Sequence, residues 1–111
     1  PYGAIGHGAK DSTVVAEDGA IVFARSGSTV LYWPASQIIH ESQVPAGSKL
    51  ALAIKSCDSA SISANKDETL IVKSGGLACA DAEAVVVAQP YSIIVVQDNV
   101  VLVRRPPARR P

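Results

Sequence analysis

Two histidines, two cysteines, ten carboxylates, a first-position proline and an arginine-rich end are what this chain of 111 residues offers for chemistry. His7 lies in the glycine-rich stretch Gly3-Ala4-Ile5-Gly6-His7-Gly8, and His40 stands beside Glu41 after an apolar run. Neighbours on a strand face opposite ways, so His40 and Glu41 do not form a local acid–base dyad. Serines are scattered through the chain, but no GxSxG elbow marks one as a nucleophile. The glycine-rich stretch follows no strand, opens no helix and lacks the lysine and hydroxyl order of a phosphate loop, so it reads as an arm. Pro1 is a candidate catalytic amine. A small enzyme using Pro1 or a serine would need a concave pocket holding Pro1, His7 or His40.

Metal and redox chemistry find little support. Asp67-Glu68 and Asp81-Ala82-Glu83 fall in turn-like segments, and of these only Asp81 and Glu83 approach the oxygen spacing that calcium requires. Cys57 and Cys79 have neither CxxC spacing nor a nearby histidine, which argues against zinc. No cofactor is expected. The cysteines read first as two buried thiols packed as small hydrophobes. A disulfide closing the intervening segment is the close alternative, stabilising by roughly 3 kcal/mol on the chain-entropy model.

Binding chemistry is concentrated in two places. Arg104, Arg105, Arg109 and Arg110 put four positive charges into the last eight residues, leaving a body with six basic and ten acidic side chains. Proline between the arginines enforces an extended path. Such an arm fits a solubilising terminus, a clamp on acidic patches of neighbouring copies, or a contact with nucleic acid. Tyr32, Trp33 and Tyr91 form the second group, a platform for a carbohydrate or peptide if their rings share a solvent-facing surface. Burial of Trp33 would count against it.

The elements that must position these residues are strands. Thr13–Ala16, Ala20–Arg25, Ser28–Trp33, Lys49–Ile54, Thr69–Lys73, Ala84–Ala88, Ser92–Val96 and Val100–Arg104 are rich in β-branched residues and bounded by turn pairs, and no stretch competes for helix. Asp18-Gly19 predicts a type I′ hairpin, Ser26-Gly27 extends it to a three-stranded meander, and Asp98-Asn99 predicts a second hairpin. The two late strands are continuously apolar, which implies cover on both faces. At 48% hydrophobic and 5% aromatic, the chain has the material for one core filled by aliphatic side chains. The prediction is an all-β fold, an antiparallel β-sandwich or small β-barrel with extended N- and C-terminal arms: a glycine-rich arm over 1–10, one domain over 11–103 and a basic arm over 104–111. A parallel β-solenoid is the rival, but no fixed-period motif stands out to favour it.

The function these features predict is a non-catalytic structural or assembly subunit, self-associating through apolar strands and terminal arms as a homo-oligomer or particle component, such as part of a virion. The alternative is a ligand-binding β module. No apolar run approaches the ~20 residues of a membrane-spanning helix and no signal peptide is visible, so a soluble domain is expected; its compartment is left undecided, with virion and cytoplasm both open. Proline at the first position fits removal of an initiator methionine or cleavage from a precursor.

Overall fold

A computed structural model describes residues 5–59 and 62–104. It contains eleven short strands: β1 (Ile5–Gly8), β2 (Thr13–Ala16), β3 (Ile21–Ala24), β4 (Thr29–Tyr32), β5 (Gln37–His40), β6 (Ile62–Ala64), β7 (Thr69–Val72), β8 (Leu77–Ala80), β9 (Val85–Ala88), β10 (Ile93–Val96) and β11 (Val101–Arg104). One helix, α1 (Lys49–Lys55), lies between β5 and β6, flanked by 3-10 turns over Glu41–Gln43 and Ser56–Ser59. The odd-numbered strands up to β5 and the even-numbered strands from β6 make a six-stranded sheet A in the order β5-β10-β3-β8-β1-β6. The others make a five-stranded sheet B in the order β11-β4-β9-β2-β7.

The fold is mainly β, but every strand pairing in both sheets is parallel, which overturns the antiparallel sandwich or barrel. The reason lies in the turns. A type I′ hairpin needs φ above zero at both central residues, whereas at Asp18-Gly19 only Gly19 is left-handed (φ 82°) and at Asp98-Asn99 only Asn99 (φ 64°). Each such turn is instead a corner that carries the chain from one sheet to the other, so β2 and β3, or β10 and β11, never pair. The predicted hairpins and meander are corners of a two-sided solenoid. The N-terminal stretch is not simply an arm either, since β1 sits between β8 and β6 in sheet A.

An eight-residue unit underlies this. Left-handed φ recurs at Asp11, Gly19 and Gly27, and again at Asp67, Gly75, Glu83, Tyr91 and Asn99. The residue after it is often small and buried, as at Ser12, Ala20, Ser28, Ala84 and Ser92. Ser12, Ser28 and Ser92 each donate a side-chain hydroxyl to the carbonyl three residues back, at 2.6–2.7 Å. With a backbone bond across the same three residues and left-handed φ only at the third position, the corner has the φ pattern of a type II turn. Tyr91 (71% exposed) carries the steric penalty of a Cβ there without burying its ring. Tyr91→Gly is therefore expected to gain about 0.5–1 kcal/mol in urea unfolding, and Gly19→Ala to lose at least as much. Equal, small effects at the two sites would contradict the assignment.

The pairing scheme divides the chain in two. All nine strand pairings join a strand of the first half (β1–β5) to one of the second (β6–β11), and paired residues are 56 or 72 positions apart, seven or nine eight-residue units. Each half winds as an open coil that skips every second place in both sheets, and the other half fills the gaps. β5 and β6 occupy opposite ends of sheet A, so the connection between them spans six strands, about 24 Å at ~4.8 Å per strand.

The connector is where helix replaces the predicted strand over Lys49–Ile54. Ser48 caps α1 by accepting from the Ala51 amide at 3.1 Å, and Lys, Leu and Ala favour helix. Leu50, Ala53, Ile54 and Cys57 recur at helical spacing and bury against Phe23, Leu77, Cys79 and Val95 on the outer face of sheet A. Cys57 and Cys79 are joined in a disulfide, with Cα atoms 5.8 Å apart, which ties the end of the connector to β8. The reading of two separate thiols is thus replaced: α1 delivers Cys57 onto the face from which Cys79 projects.

Between the sheets the core is thin, built from Val14, Val22, Val30, Val86 and Ile94 interleaved with alanines. Where β1 crosses, it supplies only glycine: a Cβ at Gly6 would meet the Leu70 methyls, and one at Gly8 would lie 2.3 Å from Val14 Cγ2 and 2.8 Å from Ser12 Oγ. No described helix or strand packs on the outer face of sheet B. One rank across it holds Thr13, Thr29, Thr69, Val85 and Val101, the other Val15, Leu31, Ile71, Val87 and Val103, and none of these belongs to either buried cluster.

Candidate functional site

The polar side chains that could do chemistry collect along one corner of the solenoid, where the chain leaves sheet A. Asp81 accepts from Arg25 Nη1 at 3.0 Å and pairs with His7 Nε2 at 2.8 Å through its other oxygen. Lys10 meets Glu83 at 2.8 Å. Gln97 accepts from the Ser26 amide at 3.0 Å and donates to Glu41 at 3.3 Å. Each of these contacts links the first half of the chain to the second, so the corner is a seam between the two coils. Hydrogen bonding to Glu83, with its charge and that of Asp11, holds the Lys10 ammonium above its ordinary pKa. This contribution is present at neutral pH and fades only as pH rises through that raised value; on an exposed pair it is small.

Asp81 and Glu83, the nearest approach to a calcium set, are thus each engaged with cations, and no group of three or more metal-ligating side chains occurs among the described residues. A groove of about 400 Å³ follows the seam, lined by Lys10, Arg25, Asp81, Glu83 and Gln97 among others, but its walls carry neither His7 nor His40.

His40 gathers a serine and a carboxylate that sequence reading missed. Ser42 Oγ and the Ser42 amide approach His40 Nδ1 at 2.8 and 3.1 Å, while His40 Nε2 meets Asp98 Oδ1 at 2.8 Å. Geometrically this is a Ser-His-Asp set. Its local half, however, is a capping box: the His40 ring caps the 3-10 turn, and Gln43 reaches back to accept from the His40 amide at 3.2 Å. Asp98 is 85% exposed in its side chain, far from the buried orienting carboxylate of a hydrolytic triad. The arrangement closes the end of β5 and fastens it to the β10 corner. His40 and Glu41 do not pair with each other; Glu41 turns to Gln97.

The aromatic group is split. Tyr32 packs half-buried against the inter-sheet core, and Trp33, half-buried, begins the corner after β4. Since Tyr32 pairs with Ala88, the corners after β4 and β9 are neighbours, tied by Ser36 Oγ donating to the Gln89 carbonyl at 3.0 Å. Trp33 and the exposed Tyr91 therefore share a ridge with Pro34 and Pro90, from which Tyr32 is turned away. Arg104 ends β11; Arg105, Arg109, Arg110 and Pro1 lie outside the described residues.

At each end of the stack a residue in core register is left partly open. Leu102 pairs with Val30 and so occupies a core position, yet it is 41% exposed. Ile62 pairs with Gly6 at the opposite end and is 46% exposed. Comparison with protein-family models, curated proteins and solved structures finds no match. No helix among the described residues is long and apolar enough to cross a membrane.

Proposed function

We propose that the protein is a non-catalytic structural subunit that self-associates end to end. The observation that carries this is the pair of core positions at the two ends of the stack: Leu102 and Ile62 stand in core register where the next coil would lie, and are 41% and 46% exposed. Solenoids that remain single molecules close their ends with capping units of polar outer face, and an open apolar edge templates further pairing. Here β5 and β11 form one end and β6 and β7 the other, all parallel. A second copy shifted along the axis by six strand spacings sets its β6 against β5 and continues sheet A in the same direction, while its sheet B stays parallel and aligned but one strand short at the junction. The contact is head-to-tail, and by translation it does not close, so its product is a linear stack.

Light scattering across a concentration series should show mass growing without a fixed stoichiometry, and electron microscopy should show fibres. Leu102→Lys and Ile62→Lys each place a charge on one end and are expected to reduce the association constant at least tenfold while leaving the far-ultraviolet circular dichroism unchanged. A concentration-independent monomer, or association indifferent to both changes, would refute end-to-end stacking. High salt separates this contact from one made by the basic arm: screening weakens an arginine clamp and leaves apolar ends intact.

A further inference from the structure

We infer that the outer face of sheet B is a second self-interaction surface, which pairs with the same face of another stack. This rests on the end-to-end stacking proposed above. The outward positions of the two sheets have different fates: on sheet A they are covered by the connector through Leu50, Ala53 and Ile54, whereas on sheet B Ile71, Val85, Val101 and Val103 remain 37–56% exposed. No charged side chain stands at an outward strand position of sheet B, which disfavours a polyanion or polycation as the occupant. Nine of its ten outward residues are β-branched and therefore stiff at χ1, and they form two straight ranks repeating at ~4.8 Å.

Two arguments select a second copy as the occupant. The first is commensurability: only a surface with the same strand repeat can meet every row over an unlimited length, and another sheet B has that repeat by construction. Aliphatic faces of this kind interdigitate as dry sheet-on-sheet contacts about 10 Å apart. The second is area. Five strands at ~4.8 Å by four residues at ~3.3 Å give a face of roughly 300 Å², so two faces bury roughly 600 Å² in all, against the ~1,200 Å² at the lower edge of stable interfaces. Two isolated protomers therefore do not pair. Once copies are stacked, each added copy contributes its own ~600 Å² within one linked object, and the summed contact passes the threshold after a few copies. Lateral pairing is thus conditional on longitudinal growth, and it sets the width of the fibre.

The test uses the full chain and the variant Val87→Lys, at the centre of the face and remote from both ends. Mass per unit length, read by scanning transmission electron microscopy, should fall twofold from wild type to Val87→Lys, with fibre length and thermal unfolding retained. Threonine substitution, Val87→Thr, keeps the shape without charge and should leave the paired width. Wild-type fibres of single width, or Val87→Lys fibres still paired, would overturn the lateral contact and leave stacking standing. Absence of fibres in wild type and variant alike would overturn both.

Discussion

Gly8→Ala is expected to destabilise the protein by about 3 kcal/mol, at the upper end of what one added methyl does to a packed core. At this position the new Cβ would sit 2.3 Å from Val14 Cγ2 and 2.8 Å from Ser12 Oγ. Neither neighbour can move aside. Val14 is β-branched and fully buried, and the Ser12 hydroxyl is held by its 2.6 Å bond to the Ala9 carbonyl, which defines the corner. Gly6→Ala is the control. Its Cβ would meet the terminal methyls of Leu70, which can swing toward the open β6 end, and the loss should stay near 1 kcal/mol. Urea unfolding of the two variants decides the matter, and a Gly6 effect equal to or larger than that at Gly8 would contradict this packing.

Removing the disulfide should have an effect of similar size. Cys57 and Cys79 are 22 positions apart, and on the chain-entropy model the loop they close is worth about 3 kcal/mol. Cys57→Ala/Cys79→Ala is expected to lose that amount, and reduced wild type should unfold at the same denaturant midpoint. The loss has a location as well as a size. With the link gone, the connector loses its covalent tie to β8, so amide exchange should accelerate over α1 and the following turn before it does in β3 or β9. An apolar dye should then find Phe23, Leu77 and Val95. A loss below 1 kcal/mol, with exchange unchanged, would show that packing alone holds the connector.

Much of the strand content was legible because β-branched runs between turn residues read the same in any sheet. Their direction was not, because the alternation of Thr13-Val14-Val15-Ala16 says which side chains are buried and nothing about whether the neighbour runs parallel. Asp18-Gly19 misled for a specific reason: the residue types suit a hairpin, while the deciding quantity is whether one residue or two adopt left-handed φ. The eight-residue period was present at Ser12, Ala20 and Ser28 and at Ala84 and Ser92, but the left-handed position is filled in turn by Asp, Gly, Glu, Tyr and Asn, which hides the repeat from a search for identical residues. Helix α1 was legible in principle from Leu50, Ala53, Ile54 and Cys57. The seam was not, because His7 and Asp81, or His40 and Asp98, meet only through pairings that span half the chain.

The interleaving of the two halves also bears on how the chain is born. A ribosome releases β1 to β5 with every hydrogen-bonding neighbour still unmade, since none of the five pairs with another of its own half. At ~5–20 residues per second, several seconds pass between the emergence of β5 and that of β11, during which one half of the sheet edges in the final fold waits open. Synthesis order and folding order are therefore decoupled, and these two sheets are completed only once β11 has been made. In a cell, its exposure to holding chaperones and to mispairing with a second nascent copy is set by elongation speed across residues 41–104, a dependence that a chain of sequential hairpins would escape.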